Sequence, residues 1–427
     1  MSTQTDRQPA RRAAPGGWRV LTPFRFREYR LLIAALSIVI FAEGMWTVVM
    51  ALQVIDLSRD PAALSLVATC LSAGLVAFVL VGGITADRIP QRTIIIGVEA
   101  VNTVVVAAVA MLGATGLLRI WHMAVAAALL GIGAAFFFPA YSAYLPRILP
   151  AEQLLAANGV EGVLRPVLQR AAGPAVAGVL VGATFPTLGS GAVAALFAVA
   201  LVLLVATRPA GAAQPDPVDK PHLLDDLRAG LRFVVGTPWL LATVLFATGA
   251  VLLIIGPIEV LLPFVAAERF ADGARMYGFL LTAYGLGGAL GALAVSSGRL
   301  PRRYLTVMML MWGFGAVPLV VVGGTHSFPV MAAALFVVGV TDGAGMVIWG
   351  TLLQRRVPAA MLGRVSSLDF FVSLALMPVS MAIAGPLSKV VPMQTIFAVA
   401  GLGPVVLALV ALVGARMPRD EIAHPLR

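Results

Sequence analysis

Residues 31–54, LLIAALSIVIFAEGMWTVVMALQV, form an apolar stretch whose single ionisable side chain is Glu43. A bilayer core needs about 20 apolar residues per helix, so this stretch predicts a helix that crosses a membrane. Eleven further stretches of the same character follow it. The chain is 60% hydrophobic and 12% charged, whereas soluble domains carry about 25% charged residues. The sequence therefore predicts an all-α integral membrane protein with twelve transmembrane helices.

Short connections join most of the predicted spans, so little of the chain remains for a soluble domain. Most spans contain Gly or Pro, which membrane bundles tolerate. We expect Pro166 and Pro174 to bend the fifth span, and Pro378 and Pro386 to bend the eleventh. The predicted spans are 31–54, 62–86, 93–115, 121–145, 159–184, 189–207, 239–265, 277–297, 304–323, 328–353, 366–388 and 393–415.

One long connection, 208–238, divides the chain into two six-helix bundles, 31–207 and 239–415, flanked by tails 1–30 and 416–427. It begins with RPAGAAQPDPVDKP, whose four prolines indicate a linker. Residues 223–235, LLDDLRAGLRFVV, are amphipathic and predict a helix. This helix either lies at the cytoplasmic membrane interface or packs on the bundle, and the sequence leaves both options open.

The distribution of positive charge predicts the orientation. Of the 30 Lys and Arg residues, 23 fall in the termini and the even-numbered connections. By the positive-inside rule, both termini of this multi-pass protein then lie in the cytoplasm. The net charge of +10 is spread over these loops rather than gathered in one stripe, so we do not expect nucleic acid as a partner. The first 30 residues contain no long apolar stretch, so no cleavable signal peptide is expected.

The residues needed for catalysis or for cofactor binding are missing from the sequence. Its one cysteine, Cys70, can form neither an internal disulfide nor a thiol metal cluster. The four histidines have no metal-ligand spacing, and no Gly-Lys-Ser/Thr phosphate loop is present. We therefore expect neither an enzyme nor a bound cofactor or metal.

The two bundles resemble each other at one loop. Residues 87–92, DRIPQR, and residues 298–303, GRLPRR, share Arg, Pro and Arg in register. Internal repetition of this kind belongs to transporters that bind substrate between two halves and rock those halves alternately. We therefore expect a central cavity between the two halves.

Two motifs resemble those of the major facilitator superfamily. Residues 83–92, GITADRIPQR, resemble its loop between spans 2 and 3, although Pro90 replaces the usual glycine. Residues 173–178, GPAVAG, are similar to the Gly-Pro-x-x-Gly-Gly motif of drug–proton antiporters. The resemblance implies that gating residues lie in these motifs and that Asp87 and Arg88 latch the halves in the outward-facing state. Ordinary loop charge is the alternative. The gating candidates are Gly83, Asp87, Arg88, Arg92, Gly173 and Pro174.

Local phrases such as FPA (138–140), DLRAGLRFVV (226–235) and LGRV (362–365) resemble the bacterial twelve-span branch that includes macrolide-efflux and enterobactin-exporter-like proteins. This resemblance implies the major facilitator fold, a central cavity bounded by spans 1, 4, 5, 7, 10 and 11, and proton-driven export of an amphipathic or hydrophobic small molecule. It also implies that the protein lies in the inner membrane of a bacterium. The expected partners are this substrate, protons and the lipid bilayer, and we expect a monomer. A lipid, lysophospholipid or siderophore transporter is the alternative within the fold. A non-transporting receptor or scaffold is the alternative outside it.

Two carboxylates in the middle of spans are candidates for proton coupling. Glu43 follows Arg30, at the cytoplasmic end of span 1, by thirteen residues, which places it about 20 Å along the helix. Asp342 has a similar position in span 10. An ionisable group at this depth is costly and usually functional. The alternatives are a buried, hydrogen-bonded Glu43 and an Asp342 that caps a helix break at Gly343.

Span 5 carries both arginines that lie inside a span. Glu161, Arg165 and Gln169 are spaced by four residues, so they share a helical face, and Glu161 can pair with Arg165. Arg170 lies deeper and needs an anionic or carbonyl partner. The resemblance implies that spans 1 and 5 are close, so Glu43 is the expected partner of Arg170. The pair would either switch during transport or hold the first bundle together.

The remaining candidates line the expected cavity or its mouth. We expect Glu43, Arg170 and Asp342 to contact substrate, together with five aromatic side chains, although packing alone would also explain these rings. Glu259 would either gate the outer mouth or reach water. Glu99 and Asp369 are expected to pair with loop arginines such as Arg88, Arg92 or Arg364. The aromatic substrate-binding candidates are Trp46, Phe137, Tyr141, Trp349 and Phe370.

Overall fold

A computed structural model describes residues 19–208, 223–298 and 300–426. Every regular element in these ranges is a helix. We call residues 19–208 the first half and residues 223–426 the second half. The first half opens with a 3-10 helix, Arg19–Arg25, and has a π-helix, Arg165–Ala172, between α5 and α6. Its α-helices are α1 (Arg27–Leu57), α2 (Pro61–Arg88), α3 (Gln91–Ala114), α4 (Ile120–Ile148), α5 (Ala151–Leu164), α6 (Gly173–Ala183) and α7 (Pro186–Val205).

The second half repeats this plan with more interruptions. A second π-helix, Pro257–Leu261, separates α9 from α10. Its α-helices are α8 (Leu223–Gly236), α9 (Pro238–Gly256), α10 (Leu262–Arg269), α11 (Gly273–Ser296), α12 (Tyr304–Gly315), α13 (Leu319–Gly324), α14 (Phe328–Arg356), α15 (Ala359–Leu374), α16 (Met377–Ser388), α17 (Met393–Gly414) and α18 (Met417–Ala423).

Eleven helical segments within the described ranges are long and apolar enough to cross a membrane. The fifth predicted span is not among them: Glu161, Arg165, Gln169 and Arg170 reduce its apolar character, and a π-helix separates α5 from α6. The sequence predicted a bend there, at Pro166 and Pro174, and both prolines lie where one helix type gives way to the next. The eleventh span is likewise broken between α15 and α16, directly before Pro378.

The two halves pack together mainly at one end of the bundle. We call the end where α1 begins the first end, and the end where α1 finishes the second end. The extensive contacts between the halves join α2 to α16, and α6 with its π-helix to α11. Gly178 and Gly278 meet there, and a Cβ added to Gly178 would lie 2.9 Å from the Gly278 Cα. Small residues let helix backbones approach closely in a membrane, so these glycines close the second end.

Polar contacts reinforce the closed second end. The Ser65 hydroxyl accepts a hydrogen bond of 2.7 Å from the Gly385 N–H. The Lys389 ammonium donates to the Asp60 carboxylate over 2.6 Å. Both contacts join α2, in the first half, to the end of α16, in the second half. They hold the halves together around the start of α2.

In each half a contact ties the start of the third span to the end of the last span or, in the second half, to α18, which follows the last span. In the first half, Arg92 donates hydrogen bonds to the carbonyls of Val205 and Thr207, at 2.8 Å each, where α7 ends. In the second half, the Glu421 carboxylate accepts from the N–H groups of Leu305 and Thr306 at the start of α12. Helix ends leave such groups without partners, so these side chains complete them.

The amphipathic segment forms the helix that the sequence predicted, α8. It packs on α9 and α15, and its Val234 side chain is buried. Leu231 and Val235 on the same helix remain about half exposed. The helix is therefore attached to the second half, and its placement at a membrane interface stays a prediction. The proline-rich part of the linker, 209–222, lies outside the described residues.

Candidate transport site

Five helices of the second half, α9, α11, α12, α14 and α15, line an open cavity of about 340 Å³. This volume is within the range of small-molecule sites, roughly 300–1,000 Å³. The sequence predicted a central cavity between the halves, and the described cavity differs because it lies inside the second half. The aromatic, acidic and hydroxyl side chains on its wall include Phe246, Tyr284, Trp312, Asp342, Trp349, Asp369, Phe370 and Ser373.

Aromatic rings form much of the cavity wall. The rings of Phe246 and Trp312 are stacked with centroids 6.1 Å apart. The rings of Trp312 and Trp349 meet edge to face at 6.5 Å. Such ring pairs stabilise one another beyond the area they bury. The wall is therefore rigid and apolar, and it presents ring faces and edges to whatever enters the cavity.

Two carboxylates interrupt this apolar wall. Asp369, on α15, accepts a hydrogen bond of 3.0 Å from the Trp349 indole N–H and one of 3.2 Å from the Ser373 hydroxyl. Asp342, on α14, accepts a hydrogen bond of 3.0 Å from the Tyr284 hydroxyl. The cavity thus combines a large aromatic surface with two oriented anionic groups.

Arg170 of the first half reaches Asp342 of the second. Its guanidinium nitrogen lies 3.6 Å from the Asp342 carboxylate oxygen. The Arg170 side chain is 51% exposed and the Asp342 side chain 33% exposed, although both residues lie in the middle of their spans. The pair therefore borders an open space next to the cavity wall. This ion pair joins the halves at the depth where substrate sites of such bundles lie.

The π-helix determines where Arg170 points. The Gly173 N–H bonds the Leu168 carbonyl, five residues earlier, and this spacing defines a π-turn. Gly285 on α11 faces the backbone of Arg170, and a Cβ at Gly285 would overlap the Arg170 carbonyl. The Thr282 hydroxyl also donates to the Ala171 carbonyl at 2.9 Å. The second part of the π-helix therefore packs on α11, and Arg170 is directed at the second half.

Glu43 has a different partner from the one the sequence suggested. Its carboxylate accepts a hydrogen bond of 2.8 Å from the Gln169 amide. The expected contact between Glu43 and Arg170 is replaced by the Arg170–Asp342 pair. The cause is local, because consecutive residues on a helix point in different directions. Gln169 therefore faces α1, while Arg170 faces α11.

The chain matches the model of a family described as transmembrane secretion effector, over residues 19–424. It belongs to this family of the major facilitator superfamily. It is 27% identical over 357 residues to the enterobactin exporter EntS of Escherichia coli O1:K1 / APEC, and the match covers 80% of each chain. The identity to EntS of Escherichia coli O139:H28 (strain E24377A / ETEC) is the same. The protein is thus a multi-span membrane transporter and not an enzyme.

Solved transporters share the fold of this secretion-effector protein. The nucleoside transporter NupG superposes with a TM-score of 0.69 at 14% identity, covering 91% of this chain and 98% of that one. A bacterial homologue of the human lysosomal transporter Spinster, inward-facing and unoccupied, gives 0.66 at 16% identity, with 95% and 99% covered. A mutant of the peptide transporter POT gives 0.71 at 16% identity, with 92% and 95% covered. These likenesses establish the two-half major facilitator fold.

The structure separates the predicted aromatic residues of this family member into two groups. Trp349 and Phe370 line the cavity of the second half. Trp46, Phe137 and Tyr141 are buried in the first half, where the rings of Phe137 and Tyr141 stack 6.1 Å apart. Their packing fits the alternative interpretation that the sequence left open. A role for these three in substrate binding stays a prediction.

The predicted gating residues lie at several different contacts. Gly83 has no atom within 4 Å of an added Cβ, and Arg88 is exposed, while the side chain of Asp87 lies outside the described residues. Arg92 closes the end of α7, as described above. An added Cβ at Gly173 would lie 2.8 Å from the backbone of α1, and Gly278 packs against Pro174. The last two positions therefore pack span 5 tightly between the halves.

The ion-pair predictions within the spans have mixed outcomes. The Glu161–Arg165 pair is confirmed, with 2.9 Å between nitrogen and oxygen. The pairing of Glu99 with a loop arginine is wrong, because Glu99 is fully buried and neither carboxylate oxygen has a hydrogen-bond partner among the described residues. Glu259 lies in the second π-helix and is partly buried, and its gating role stays a prediction.

Sequence reasoning missed Asp369 as a site residue. Its predicted partners were loop arginines, whereas its partners in the structure are Trp349 and Ser373. Ten residues separate it from the start of α15, about 15 Å along a helix. That depth, together with Ser373 one turn later, was a usable signal. No pattern in the sequence indicates that α14 brings Trp349 to the same wall.

Proposed function

We propose that this transporter exports an amphipathic or hydrophobic small molecule across a bacterial inner membrane, driven by proton entry, through alternating access. The observation that supports this most directly is the Arg170–Asp342 pair, 3.6 Å apart, which crosses between the halves at the cavity wall. A titratable group in that position responds both to a proton and to the separation of the halves. Glu43 lacks this combination, because it bonds within the first half.

The proposed orientation follows from the distribution of positive charge. It places the first end and both termini in the cytoplasm and the closed second end in the periplasm. The extensive contacts of α2 with α16, and of α6 with α11, would then block the periplasmic exit. In this orientation the described conformation is inward-facing and receives substrate from the cytoplasm.

In the proposed coupling step, the protonation of Asp342 links proton entry to substrate export. While Asp342 is ionised, it accepts from Tyr284 and attracts Arg170, and this attraction favours the contact between the halves. Substrate that enters from the cytoplasm and binds beside this pair competes with it, so the second end can open and the substrate leaves to the periplasm. In that outward-facing state Asp342 takes up a proton from the periplasm, which removes its negative charge and therefore most of its attraction for Arg170. The protonated protein returns to the inward-facing state, where Asp342 releases the proton to the cytoplasm and the pair with Arg170 forms again. A ligand or proton shifts such an equilibrium only through its different affinity for the two states.

Siderophore export is the second candidate function. It is supported by the 27% identity to proteins named enterobactin exporter over 80% of each chain. Arg170, half exposed between the halves, could contact an acidic or polar cargo. This candidate uses the same alternating-access cycle and differs only in cargo.

Purified protein in liposomes with an imposed pH gradient tests both candidates. We expect gradient-dependent movement of at least one compound from a panel of dyes, drugs and enterobactin, and no movement when a protonophore collapses the gradient. Labelled lysophospholipid in the same assay distinguishes lipid transport. If no compound in the panel responds to the gradient, proton-driven export is refuted.

A further inference from the structure

The cavity of the second half contains one more negative charge than the coupling step uses. Asp342 has a cationic neighbour in Arg170, which lies 3.6 Å away. Asp369 has two partners, the Trp349 indole and the Ser373 hydroxyl, and both are neutral. Within the described ranges, no lysine or arginine forms an ion pair with Asp369. Its charge is therefore balanced by no side chain that the structure describes.

The nearby arginine on α14 is engaged elsewhere. The Arg356 guanidinium pairs with Asp420 at 2.7 Å and lies over the Trp239 ring at 4.6 Å. Trp239 in turn contacts Trp349, with ring centroids 6.2 Å apart. A row of two indoles thus separates this guanidinium from the cavity, and Arg356 balances Asp420 rather than Asp369.

The surroundings of Asp369 suit a positive charge on an apolar body. A carboxylate oxygen that accepts one hydrogen bond keeps a lone pair free for another donor, so Asp369 can accept from a ligand without losing Trp349 or Ser373. Phe246, Trp312, Trp349 and Phe370 share the cavity wall with it. Aromatic faces attract cations electrostatically, and the attraction is stronger where water is excluded. Most of the remaining wall is aliphatic and accommodates hydrocarbon.

We propose that this cavity selects an amphipathic monocation, a quaternary or protonated amine or a phosphonium with an apolar body, and that Asp369 is the residue that recognises its charge. The inference rests on the proposed export function and assigns its substrate class. It gives the two carboxylates separate roles. Asp342 links the cavity to the first half through Arg170, whereas Asp369 discriminates among ligands by charge.

Equilibrium binding to the purified protein tests the proposal without any gradient. The probes are radiolabelled tetraphenylphosphonium and tetraphenylborate, which have nearly the same size and shape and carry opposite charges. We expect the cation to bind at least about tenfold more tightly than the anion, and an excess of benzalkonium to displace it. Equal affinities for the two probes, or tighter binding of the anion, would overturn the proposal.

Substitution of Asp369 tests whether its carboxylate is the group that recognises the cation. Asp369→Asn keeps the hydrogen-bond acceptor for Trp349 and removes the charge, so we expect phosphonium affinity to fall about tenfold or more and the preference over borate to vanish. Asp369→Glu should retain the preference. The matched control is Glu99→Gln, the same carboxyl-to-amide change in a buried position of the first half, which should leave the affinity unchanged. An Asp369→Asn protein that still prefers the cation would contradict the assignment.

Proton-driven export and cation recognition by Asp369 can be refuted independently of each other. If enterobactin or a neutral drug moves with the pH gradient while tetraphenylphosphonium does not bind, export stands and the charge assignment falls. If tetraphenylphosphonium binds through Asp369 but no panel compound moves with the gradient, the cation site stands and proton-driven export falls.

Discussion

The two halves share a fold, but one is packed at its centre and the other is hollow. In the first half, Glu43 bonds Gln169, Trp46 is buried, and the rings of Phe137 and Tyr141 stack in a closed core. In the second half, the equivalent region opens into a cavity of about 340 Å³ with carboxylates on its wall. The two halves thus share a topology, while their side chains differ: those of the first half fill its centre, and those of the second half line a cavity.

The ties at the first end show a similar divergence. Arg92 completes the end of α7 by donating to carbonyls, and Glu421 completes the start of α12 by accepting from N–H groups. The two ties join equivalent spans with opposite charges, because the first meets the carboxyl end of a helix and the second meets an amino end. Similar scaffolds can therefore be held by chemically different contacts.

The largest expected effect is a loss of gradient-driven export, and it distinguishes Asp342 from Glu43 as the proton-coupling residue. Asp342→Asn should reduce gradient-driven export more than about tenfold, because the amide cannot exchange a proton and the ion pair with Arg170 is lost. Glu43→Gln, the matched change in the packed half, should reduce it less than about threefold, because Gln can still bond Gln169. Initial rates in liposomes measure both. A severe loss in Glu43→Gln with an active Asp342→Asn would place coupling in the first half.

The next largest effect is expected where α11 of the second half packs closely against the π-helix of the first half. Gly285→Ala should strongly lower both export and thermal stability, because the new Cβ overlaps the Arg170 backbone. The matched control is Gly97→Ala on α3, where no atom lies within 4 Å. Ala has the higher helix propensity by about 1 kcal/mol, so the control should be neutral or stabilising. A Gly285→Ala protein as stable and active as the control would show that this packing is not needed.

A smaller effect is expected from the ties at the first end. Glu421→Ala should lower the free energy of unfolding by about 1–3 kcal/mol, because it leaves the buried N–H group of Leu305 and the partly buried N–H group of Thr306 without an acceptor. Arg92→Ala should cost less, because part of its environment is open to solvent and water can replace its bonds. Chemical denaturation in detergent measures the difference. Equal losses would indicate that the two ties are energetically equivalent.

The smallest effect is expected at the exposed contact of the second end. The hydrogen bond from Lys389, followed by the one from the Ala62 N–H, lowers the pKa of the Asp60 carboxyl below its ordinary 3.8. A lowered pKa means that the contact favours the closed second end at pH 4 and above, and is lost only as the pH falls through the lowered value. Between pH 5 and 8 we therefore expect no change in second-end opening from this pair.

Lys389→Gln tests that contact directly. Distances between spin labels on α2 and α16 should show a small increase of the open population at neutral pH. Asp60→Asn should behave similarly, because Asn keeps the helix cap but loses the charge. A large opening in either variant would mean that this exposed pair, rather than the packing of glycines, holds the end closed.

The sequence predicted the fold because its signals are local. Apolar length marks the spans, and the amphipathic period of residues 223–235 marks α8. Glu161 and Arg165 pair because four residues on one helix suffice to bring them together. Each of these predictions needs only the geometry of one helix.

The site was harder to predict because it depends on which helix faces which. The π-helix Arg165–Ala172 changes the directions in which its side chains point, so spacing along an ordinary α-helix does not predict the partner of Arg170. Asp342, Trp349 and Phe370 were found because a charged or large aromatic residue inside a span is conspicuous. Asp369 lies ten residues from the start of α15, beyond the reach of the loop arginines, and its partner Trp349 depends on how α14 faces α15.

Protection of introduced cysteines tests most directly whether the second half holds the binding cavity. Replacing the single cysteine, Cys70, by serine gives a background for Ala247→Cys in the cavity wall and for Thr47→Cys beside Glu43. Alkylation rates are compared with and without a compound that moves in the liposome assay. The account predicts that the compound slows the reaction at position 247 and leaves position 47 unaffected. Protection at position 47 with none at 247 would contradict it.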